Sequence, residues 1–506
     1  MKKYFSLILQ KQNMLFFVFV VFFICYLLIS IKRQSFWHDE IYTLSFMKGI
    51  DIYLFEGSDL NKVESHSAYW YKDLLKNDSF WTNLNRNLIH EGHPPLYYLF
   101  LKFWTYFSGI SEFGLRSFSI LTSCISLLIS FKIGNIISAR YKLLFPILLG
   151  TSPLFIYYSI EARSYSMYIL FSILCFFYVL KIIINLKKVT NEEPTNLFKL
   201  LISAILLLYT HYYGVFFFGV CAIVLIFLFF KYKKPIWILL LTLPLLSYIP
   251  WISFIQKQTY VHKIHWTNGY LGFSNSINEF FLNIVRLGLT PLNEQNVTEF
   301  WLILLLAIIL IYNFFIKSTK VWLVISVTLL LIFIYGLCII AFDKVLDHHT
   351  IAVSRYYIPL QFIILFCIFY MFVHGQSKKI GVAISGFLIL LFLYIQIEFY
   401  NGIREPKQMY REAAAFISQR YNPEYVEITI SPNGPSTIGI AYYLSKDFNL
   451  NSLPVNRICE QYKKSNTVII EQRLGLDAEP WSLSCKSSDI NSRTTRFVGL
   501  DIINAK

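Results

Sequence analysis

The chain opens its first long apolar run at residues 13–31, NMLFFVFVVFFICYLLISI, and this run and the turn after it decide the fold. A run of about 20 apolar residues is long enough to cross a hydrocarbon layer as a helix. Two basic residues come next, and residues 36–40 then read Phe-Trp-His-Asp-Glu. The adjacent carboxylates Asp39 and Glu40 therefore follow directly on a membrane-spanning helix, where ionisable side chains by default indicate function.

The composition of the whole chain is typical of a membrane protein. Of its 506 residues, 56% are hydrophobic and 15% are charged, and the mean hydropathy is +0.52, whereas soluble proteins are about 25% charged. The net charge of +15 does not indicate nucleic-acid binding, because the Lys and Arg residues lie mainly in short loops, where they set orientation in the membrane. We therefore expect a polytopic α-helical membrane protein with no nucleic-acid partner.

The basic loops predict the topology if all of them face the cytoplasm. The amino terminus is then inside, the tail is outside, and eleven runs span the membrane. The predicted spans are residues 13–31, 115–137, 143–160, 164–186, 198–213, 215–230, 235–253, 300–316, 321–342, 357–374 and 380–398. This count requires that residues 94–104 do not cross. The two prolines and the central Lys102 of that run favour an interfacial helix on the outer surface, with Lys102 accessible from outside.

Two domains follow from this topology. Residues 1–399 form a transmembrane domain whose first outer loop covers residues 32–114, and residues 400–506 form a small external α/β domain. The tail is predicted to contain a helix at residues 407–421 and strands at residues 425–430 and 467–470. Cys459 and Cys485 can pair there if the tail faces an oxidising compartment, but two cysteines alone do not establish a disulfide.

Unusual polar residues collect on the predicted outer face of the transmembrane domain. They are Asp39, Glu40, Glu91, His93, Glu161, Arg163, His211 and Arg355. Each also has a structural interpretation, such as a solvated loop, an internal ion pair, a member of an aromatic belt or a side chain that snorkels to the headgroups. Because Lys and Arg residues of other loops define this face, the convergence favours one functional site.

The carboxylates and arginines of this set are suited to group transfer from a phosphate. A carboxylate beside an acceptor hydroxyl or amine can remove its proton during attack, and we assign that role to Asp39, with Glu40 or Glu161 in support. The planar guanidinium groups of Arg163 and Arg355 can bind the donor phosphate. The combination predicts a transferase that acts at the outer leaflet.

The remaining members of the set are candidate metal or substrate ligands. Glu91 with His93 or His211 could hold a divalent cation that offsets charge on the leaving group, at a spacing looser than that of zinc motifs. The sequence has no glycine-rich phosphate cradle, and an outward-facing site has no nucleotide supply. We therefore expect a donor embedded in the lipid bilayer, a polyprenyl phosphate sugar, and no nucleotide cofactor.

Several short motifs together resemble the GT-C membrane glycosyltransferases. They are Asp39-Glu40, residues 93–98 (HPPLYY), 116–119 (RSFS), 161–165 (EARSY), 209–214 (YTHYYG), 355–359 (RYYIP) and 410–417 (YREAAAFI). The nearest branches are the bacterial protein O-mannosyltransferases and lipid A aminoarabinose transferases. The resemblance implies a GT-C fold in the bacterial cytoplasmic membrane, a periplasmic site and tail, and transfer to a lipid, glycan or protein. It matches Asp39 to the family's catalytic acid and Glu161 to its second acidic position.

The sequence departs from this resemblance around the candidate metal ligands. The aminoarabinose transferases carry Glu-Lys-Pro where this chain reads Gly92-His93-Pro94, and His211 matches their metal-binding histidine only loosely. The protein mannosyltransferases do not require such a metal. Metal dependence therefore stays open at the level of the sequence.

Two other classes stay open as alternatives. A lipid-linked sugar transporter or flippase would place ionisable groups near the middle of the bilayer, often in repeated halves, and the sequence shows neither feature. An O-antigen ligase-like enzyme uses similar donors but centres on arginines and a histidine in a late outer loop, whereas the carboxylates here lie in the first.

Overall fold

A computed structural model of the protein describes residues 2–33, 35–50, 64–188, 193–261, 269–286, 319–374, 378–400, 409–431, 435–452, 467–472, 494–497 and 500–504. The helices of the membrane part and its loops are α1 Lys2–Arg33, α2 His38–Lys48, α3 Ala68–Lys76, α4 Phe80–Glu91, α5 Leu96–Ser108, α6 Glu112–Ile137, α7 Leu144–Thr151, α8 Pro153–Ser159, α9 Tyr165–Lys188, α10 Glu193–Leu208, α11 Gly214–Lys231, α12 Ile236–Leu240, α13 Leu243–Ser247, α14 Ile252–Val261, α15 Phe273–Arg286, α16 Thr319–Leu346, α17 Ile358–His374 and α18 Lys378–Tyr400. The tail contains α19 Tyr410–Arg420 and α20 Pro435–Tyr443. The strands are β1 Glu64–Ser67, β2 Glu427–Ser431, β3 Asn449–Ser452, β4 Thr467–Gln472, β5 Thr494–Phe497 and β6 Leu500–Asn504, and 3₁₀ turns lie at Ile249–Trp251, Thr350–Ala352 and Ser354–Tyr357.

Seven segments within the described residues are long and apolar enough to cross a membrane. They are Gln10–Lys32, Glu112–Ile137, Tyr165–Leu186, Gly214–Lys231, Trp237–Thr259, Val321–Leu346 and Ser354–His374. Each overlaps one predicted span, and the chain is therefore a multi-pass helical membrane protein. The most buried of these segments are Tyr165–Leu186 and Ser354–His374, in which 61% and 78% of the most apolar stretch is buried inside the protein. The helices that begin beside Arg163 and Arg355 are thus central in the bundle.

The other predicted spans have different outcomes. The spans at residues 198–213 and 380–398 overlap the shorter apolar helices Pro194–Leu208 and Ser385–Ile397. The span at residues 143–160 is divided into α7 and α8, because Pro153 starts a new helix and cannot donate a backbone hydrogen bond to the preceding one. The span at residues 300–316 lies outside the described residues, so the total of eleven stays a prediction.

The helix that follows the two prolines is too short to cross the membrane. α5 has 13 residues, and at about 1.5 Å per residue it reaches roughly 20 Å, less than the ~30 Å hydrocarbon core. Its Phe103 and Phe107 are 62% and 74% exposed, which suits an interfacial helix. Lys102 is only 1% exposed, because its ammonium group pairs with Asp78 at 2.7 Å. The prediction that Lys102 is accessible from outside is therefore wrong.

The tail forms an α/β unit, as the sequence predicts. α19 lies within the predicted helix, and β2 and β4 overlap the predicted strands. The strand order is β1-β3-β2-β4-β6-β5. β2 is parallel to β3 and β4, whereas the pairs β1–β3, β4–β6 and β5–β6 are antiparallel. Cys459 and Cys485 lie outside the described residues.

The edge strand of this sheet comes from residues 32–114, the segment predicted to be the first outer loop, and not from the tail. β1 pairs with β3 along its length, with Glu64 opposite Ser452 and Ser67 opposite Asn449. Strands of one sheet must lie on one side of a membrane, because no exposed sheet can pass through the hydrocarbon. Residues 64–67 and the tail therefore lie on the same side of the membrane. The sheet contains strands from both sides of the predicted domain boundary at residue 400.

Candidate active site

The start of α2 and the turn between α8 and α9 contact each other, although they are 122 residues apart in sequence. The Ala162 N–H donates to Glu40 Oε1 at 2.8 Å. Arg163 Nη1 donates to the backbone oxygen of Asp39 at 3.2 Å. The structure thus brings together the two acidic motifs that the sequence places on different outer loops.

Glu40 is fully buried and is bound by Arg116 from α6. Arg116 Nε and Nη2 donate to the two carboxylate oxygens of Glu40 at 2.8 and 2.5 Å. The Trp37 N–H approaches the same carboxylate at 3.4 Å, next to the Ala162 contact. Glu40 is not among the residues that line the cavity described below. Its predicted catalytic support stays a prediction, and its surroundings favour a role in positioning α2.

Asp39 lies beside Arg355. Arg355 Nη1 is 3.0 Å from Asp39 Oδ2, and the two side chains are 25% and 22% exposed. The same Nη1 donates to the Tyr165 hydroxyl at 3.3 Å. Burial by itself would raise the pKa of Asp39, but the charges of Arg355, Arg163 and the neighbouring His38 bring this pKa below its ordinary value. Asp39 is therefore an ionised carboxylate at neutral pH.

A buried cluster around Glu91 adjoins this pair. α4 ends at Glu91, and Gly92 takes φ +69°, a left-handed conformation that favours glycine and turns the chain toward α5. Arg163 Nη1 is 2.5 Å from Glu91 Oε1, His93 Nδ1 is 3.4 Å from it, and the Tyr98 hydroxyl donates to it. Burial would raise the pKa of Glu91, but these partners, Arg163 foremost, lower it to about 2.

We expect Glu91 to make the stability of the protein depend on acid pH. Its folded pKa of about 2 lies below the ordinary value of 4.5, so its contribution is complete above about pH 5 and is lost as the pH falls toward 2. The full contribution is on the order of 3 kcal/mol. Thermal unfolding between about pH 6 and 3 should show a weaker pH dependence in Glu91→Gln than in the wild type. The exposed control Glu424→Gln should follow the wild type, and equal acid sensitivity in all three proteins would contradict the assignment.

His211 is a buried, neutral side chain that lines the cavity. Its ring stacks on Tyr168 with centroids 4.5 Å apart, and only 2% of the residue is exposed. Burial, and after it the charges of His93 and Arg355, lower the pKa of His211 well below its ordinary value. The Tyr213 N–H approaches Nδ1 at 3.3 Å, so the proton of the neutral ring belongs on Nε2. Nε2 has no hydrogen-bond partner among the described residues, and it is therefore a donor without an acceptor.

A cavity of about 670 Å³ opens beside these clusters. Its polar lining residues include Glu91, His93, His211, Gln258, Asp347 and His348. Its mainly apolar lining residues include Phe216, Tyr248, Ile255 and Phe342. Tyr356 also lines the cavity, and it follows Arg355 in sequence. Asp39 and Arg355 are not themselves lining residues, and their pair adjoins the cavity through Tyr356. A cavity lined by both polar and apolar side chains fits a ligand with a polar head and an apolar body.

Glu161 lies behind this site and does not line the cavity. It is 1% exposed, and its backbone oxygen accepts hydrogen bonds from the Ser119 hydroxyl at 2.6 Å and the Arg163 N–H at 2.8 Å. These bonds fix the turn that carries Arg163. The predicted role of Glu161 as a second acid stays a prediction.

Sequence reasoning missed some of the polar lining residues, because it left His348 out of the site and did not consider Asp347 or Gln258. Asp347 adopts φ +55°, its carboxylate accepts the Tyr270 N–H at 3.0 Å, and it lines the cavity together with His348. The available signal was an Asp-His-His string directly after a predicted span, on the same outer face as the other motifs. Polar residues are common in loops, and this string alone did not distinguish the loop from others.

The candidate metal ligands do not form a good divalent-cation site as a group. The Arg163 guanidinium, 2.5 Å from Glu91 Oε1, would repel a cation at that oxygen. His211 carries its proton on Nε2, the nitrogen that a cavity ligand would need. Within the described residues, no cluster of three or more His, Cys, Asp or Glu side chains could hold a metal. The predicted site at Glu91, His93 and His211 stays a prediction, and no step below passes through a metal.

No protein-family model and no curated protein sequence matches the chain. Solved structures are similar to it. ArnT from Cupriavidus metallidurans bound to undecaprenyl phosphate is 10% identical over 96% of this chain and 97% of that chain, with a TM-score of 0.48. The apo state of ArnT gives the same identity and coverage with a TM-score of 0.39. The Archaeoglobus fulgidus oligosaccharyltransferase in complex with Zn and sulfate is 11% identical over 75% of this chain and 59% of that chain, with a TM-score of 0.37.

TM-scores below 0.5 at about a tenth of identical residues carry no information on activity. The function proposed below therefore rests on the geometry of this chain's own site.

Proposed function

We propose that this protein transfers a sugar from a polyprenyl phosphate donor to a lipid, glycan or protein acceptor. The observation that carries the proposal is the pair of Asp39 and Arg355, 3.0 Å apart, which adjoins through Tyr356 a cavity lined by both polar and apolar side chains. The reaction takes place at the outer face of the bacterial cytoplasmic membrane, on the side of the tail. A lipid-borne donor matches both kinds of lining residue, since its phosphate and sugar are polar and its chain is apolar.

Asp39 acts as the base in a single displacement. The acceptor hydroxyl oxygen attacks the anomeric carbon, a new carbon–oxygen bond forms, and the hydroxyl proton passes to the Asp39 carboxylate. The bond between the anomeric carbon and the phosphate oxygen breaks, and its electron pair leaves with the polyprenyl phosphate. Because the pKa of Asp39 is low, the carboxylate is always available. We therefore expect proton transfer late, once the attacking oxygen has become strongly acidic.

Arg355 is the better placed of the two arginines to bind the leaving phosphate. Its side chain is 25% exposed, whereas that of Arg163 is 6% exposed and already pairs with Glu91. Negative charge grows on the phosphate as the bond breaks, and a planar guanidinium can offset it with two parallel hydrogen bonds. Arg163 then holds Asp39 through its backbone oxygen, and the Nε2–H of His211 donates to an oxygen of the donor.

Arg355→Gln should lower kcat/KM for the lipid-linked donor by about 10- to 100-fold, because it removes a charge-assisted hydrogen bond worth roughly 1.5–3 kcal/mol. It should also move the acid limb of the kcat profile to higher pH, since burial raises the pKa of Asp39 once the opposing charge of Arg355 is gone. Initial transfer rates between about pH 4 and 8 would measure both effects. The exposed Arg140, changed to Gln, is the matched control, and an unchanged kcat/KM in Arg355→Gln would contradict the role.

The proposal as a whole is tested with purified protein in lipid nanodiscs. Supplied with a polyprenyl phosphate sugar and candidate acceptors, the wild type should release polyprenyl phosphate and form a glycosylated product, both visible by mass spectrometry. A transporter or flippase would leave the donor covalently intact. Mass spectrometry of envelope glycolipids and glycoproteins from cells with and without the protein would identify the sugar and the acceptor together. Intact donor in every reaction, and no glycan mass that depends on the protein, would rule out the proposed function.

A further inference from the structure

Two arginines from different parts of the chain hold residues 31–33 and 35–37, the end of α1 and the start of the segment before α2, here together called the connector. Arg116 of α6 donates to the backbone oxygens of Ile31 at 3.4 Å and Ser35 at 2.8 Å. Arg411, in the tail helix α19, donates to the backbone oxygen of Lys32 at 3.2 Å. One of the two anchors of this connector therefore belongs to the tail.

A second tail residue, Tyr443 at the end of α20, contacts both the same connector and α6. Its hydroxyl accepts the Phe36 N–H at 2.8 Å and donates to a carboxylate oxygen of Glu112. Arg411 pairs with the other oxygen of Glu112, and its Cζ lies 5.6 Å from the centroid of the Tyr443 ring. Arg411 and Tyr443 thus act together on the connector and on the first turn of α6.

The first turn of α6 leads from this contact to the acidic pair. Glu112 and Arg116 are one helical turn apart and so lie on the same face of α6. Arg116 binds both carboxylate oxygens of Glu40, and Glu40 lies with Asp39 in the first turn of α2. A continuous set of contacts therefore joins Arg411 of the tail to the helix that carries Asp39.

We propose that the tail domain is a positioning element for Asp39, with Arg411 and Tyr443 as its positioning residues. Both residues act on Glu112 and on the backbone of the connector and not on the acidic pair itself, so they are positioning residues and not catalytic ones. Both hold the connector and α6 so that α2 directs Asp39 toward Arg355. Misplacement of a catalytic group by about 1 Å can lower a rate by up to 100-fold. Only the kinetic part of the test below rests on the proposed function.

The kinetic test compares two variants with two matched controls. Tyr443→Phe and Arg411→Gln should lower kcat by about tenfold in the monodisperse protein, with KM for the donor nearly unchanged, and Arg411→Lys should recover part of the loss. Tyr442→Phe keeps the ring contact with Phe36, and Arg420→Gln changes an exposed residue at the other end of α19. Both controls should keep the wild-type kcat. A merely unstable tail would reduce the yield of folded protein and would not change kcat alone.

Hydrogen–deuterium exchange over residues 35–41 provides a test that needs no activity. Tyr443→Phe removes the acceptor of the Phe36 amide, and Arg411→Gln removes an anchor of the connector, so exchange should be about fivefold faster in both. The control variants should exchange like the wild type. Wild-type exchange in both test variants overturns the proposal, and so does a wild-type kcat in both. If the wild type itself transfers no sugar, the proposed function fails and the exchange comparison alone decides this proposal.

Discussion

Asp39→Asn should lower the rate of sugar transfer by about 1,000-fold or more, which is within the usual contribution of a general base. The amide of Asn has nearly the shape of the carboxylate but cannot accept a proton in the reaction. The side chain is about a fifth exposed, with Arg355 a quarter exposed beside it, so we expect the variant to fold and to insert into the membrane normally. Transfer from a polyprenyl phosphate sugar by the purified, monodisperse protein measures the effect.

The control for this prediction is Asp73→Asn, which changes a carboxylate between α1 and α6 that is 65% exposed and pairs with the neighbouring Lys76. Its transfer rate should equal that of the wild type. The double variant Asp39→Asn with Arg355→Gln should be little slower than Asp39→Asn alone, because residues that act in one step are not additive. A normal rate in Asp39→Asn would end the assignment of this residue as the base.

Arg116→Met should be the most destabilising of the single substitutions considered, at about 3–5 kcal/mol, because it leaves the charge of Glu40 buried without its partner. Both side chains of this pair are 0% exposed. Glu40→Gln should also destabilise the protein, because it leaves the charge of Arg116 buried without the Glu40 carboxylate. The double variant with Met at both positions should recover part of the lost stability. The order of stability among these variants is measured by thermal unfolding, with size-exclusion chromatography as the readout of folded protein. The control is Lys76→Met, which breaks an exposed pair and should have almost no effect.

The same variants separate a positioning role of Glu40 from a catalytic one. If Glu40 only positions α2, transfer per folded molecule in the double variant should stay within about tenfold of the wild type. A Glu40→Gln protein with wild-type stability and no transfer would contradict the positioning role and restore the catalytic role predicted from the sequence.

The meeting of distant motifs could be predicted from the sequence, but the division of roles between Asp39 and Glu40 could not. Successive residues of a helix point in directions about 100° apart, so at the start of α2 one carboxylate must face away from the other. Their different surroundings depend on Arg116, which binds Glu40 from 76 residues away in the chain, and on Arg355, which binds Asp39 from 316 residues away. No local pattern contains that information.

The fold shows a similar division between local and long-range information. Long apolar runs predict spans because the bilayer fixes their length, and the tail helix at residues 407–421 follows from its own periodicity. Glu64–Ser67 has the sequence ESHS, which shows no alternation of apolar residues. It forms a strand because its backbone pairs with β3 at the edge of the sheet. Lys102 is charged and was expected to be exposed, and only the approach of Asp78 explains its burial.

The most direct test of the central claim is a cryo-EM map of Asp39→Asn protein in nanodiscs with a polyprenyl phosphate sugar bound. The proposed function predicts density for the phosphate at about 3 Å from the Arg355 guanidinium, with the sugar between that phosphate and the side chain at position 39. His211 should then lie against the bound donor. A phosphate bound at the opposite membrane face, or held in the cavity out of reach of Arg355, would contradict the proposal.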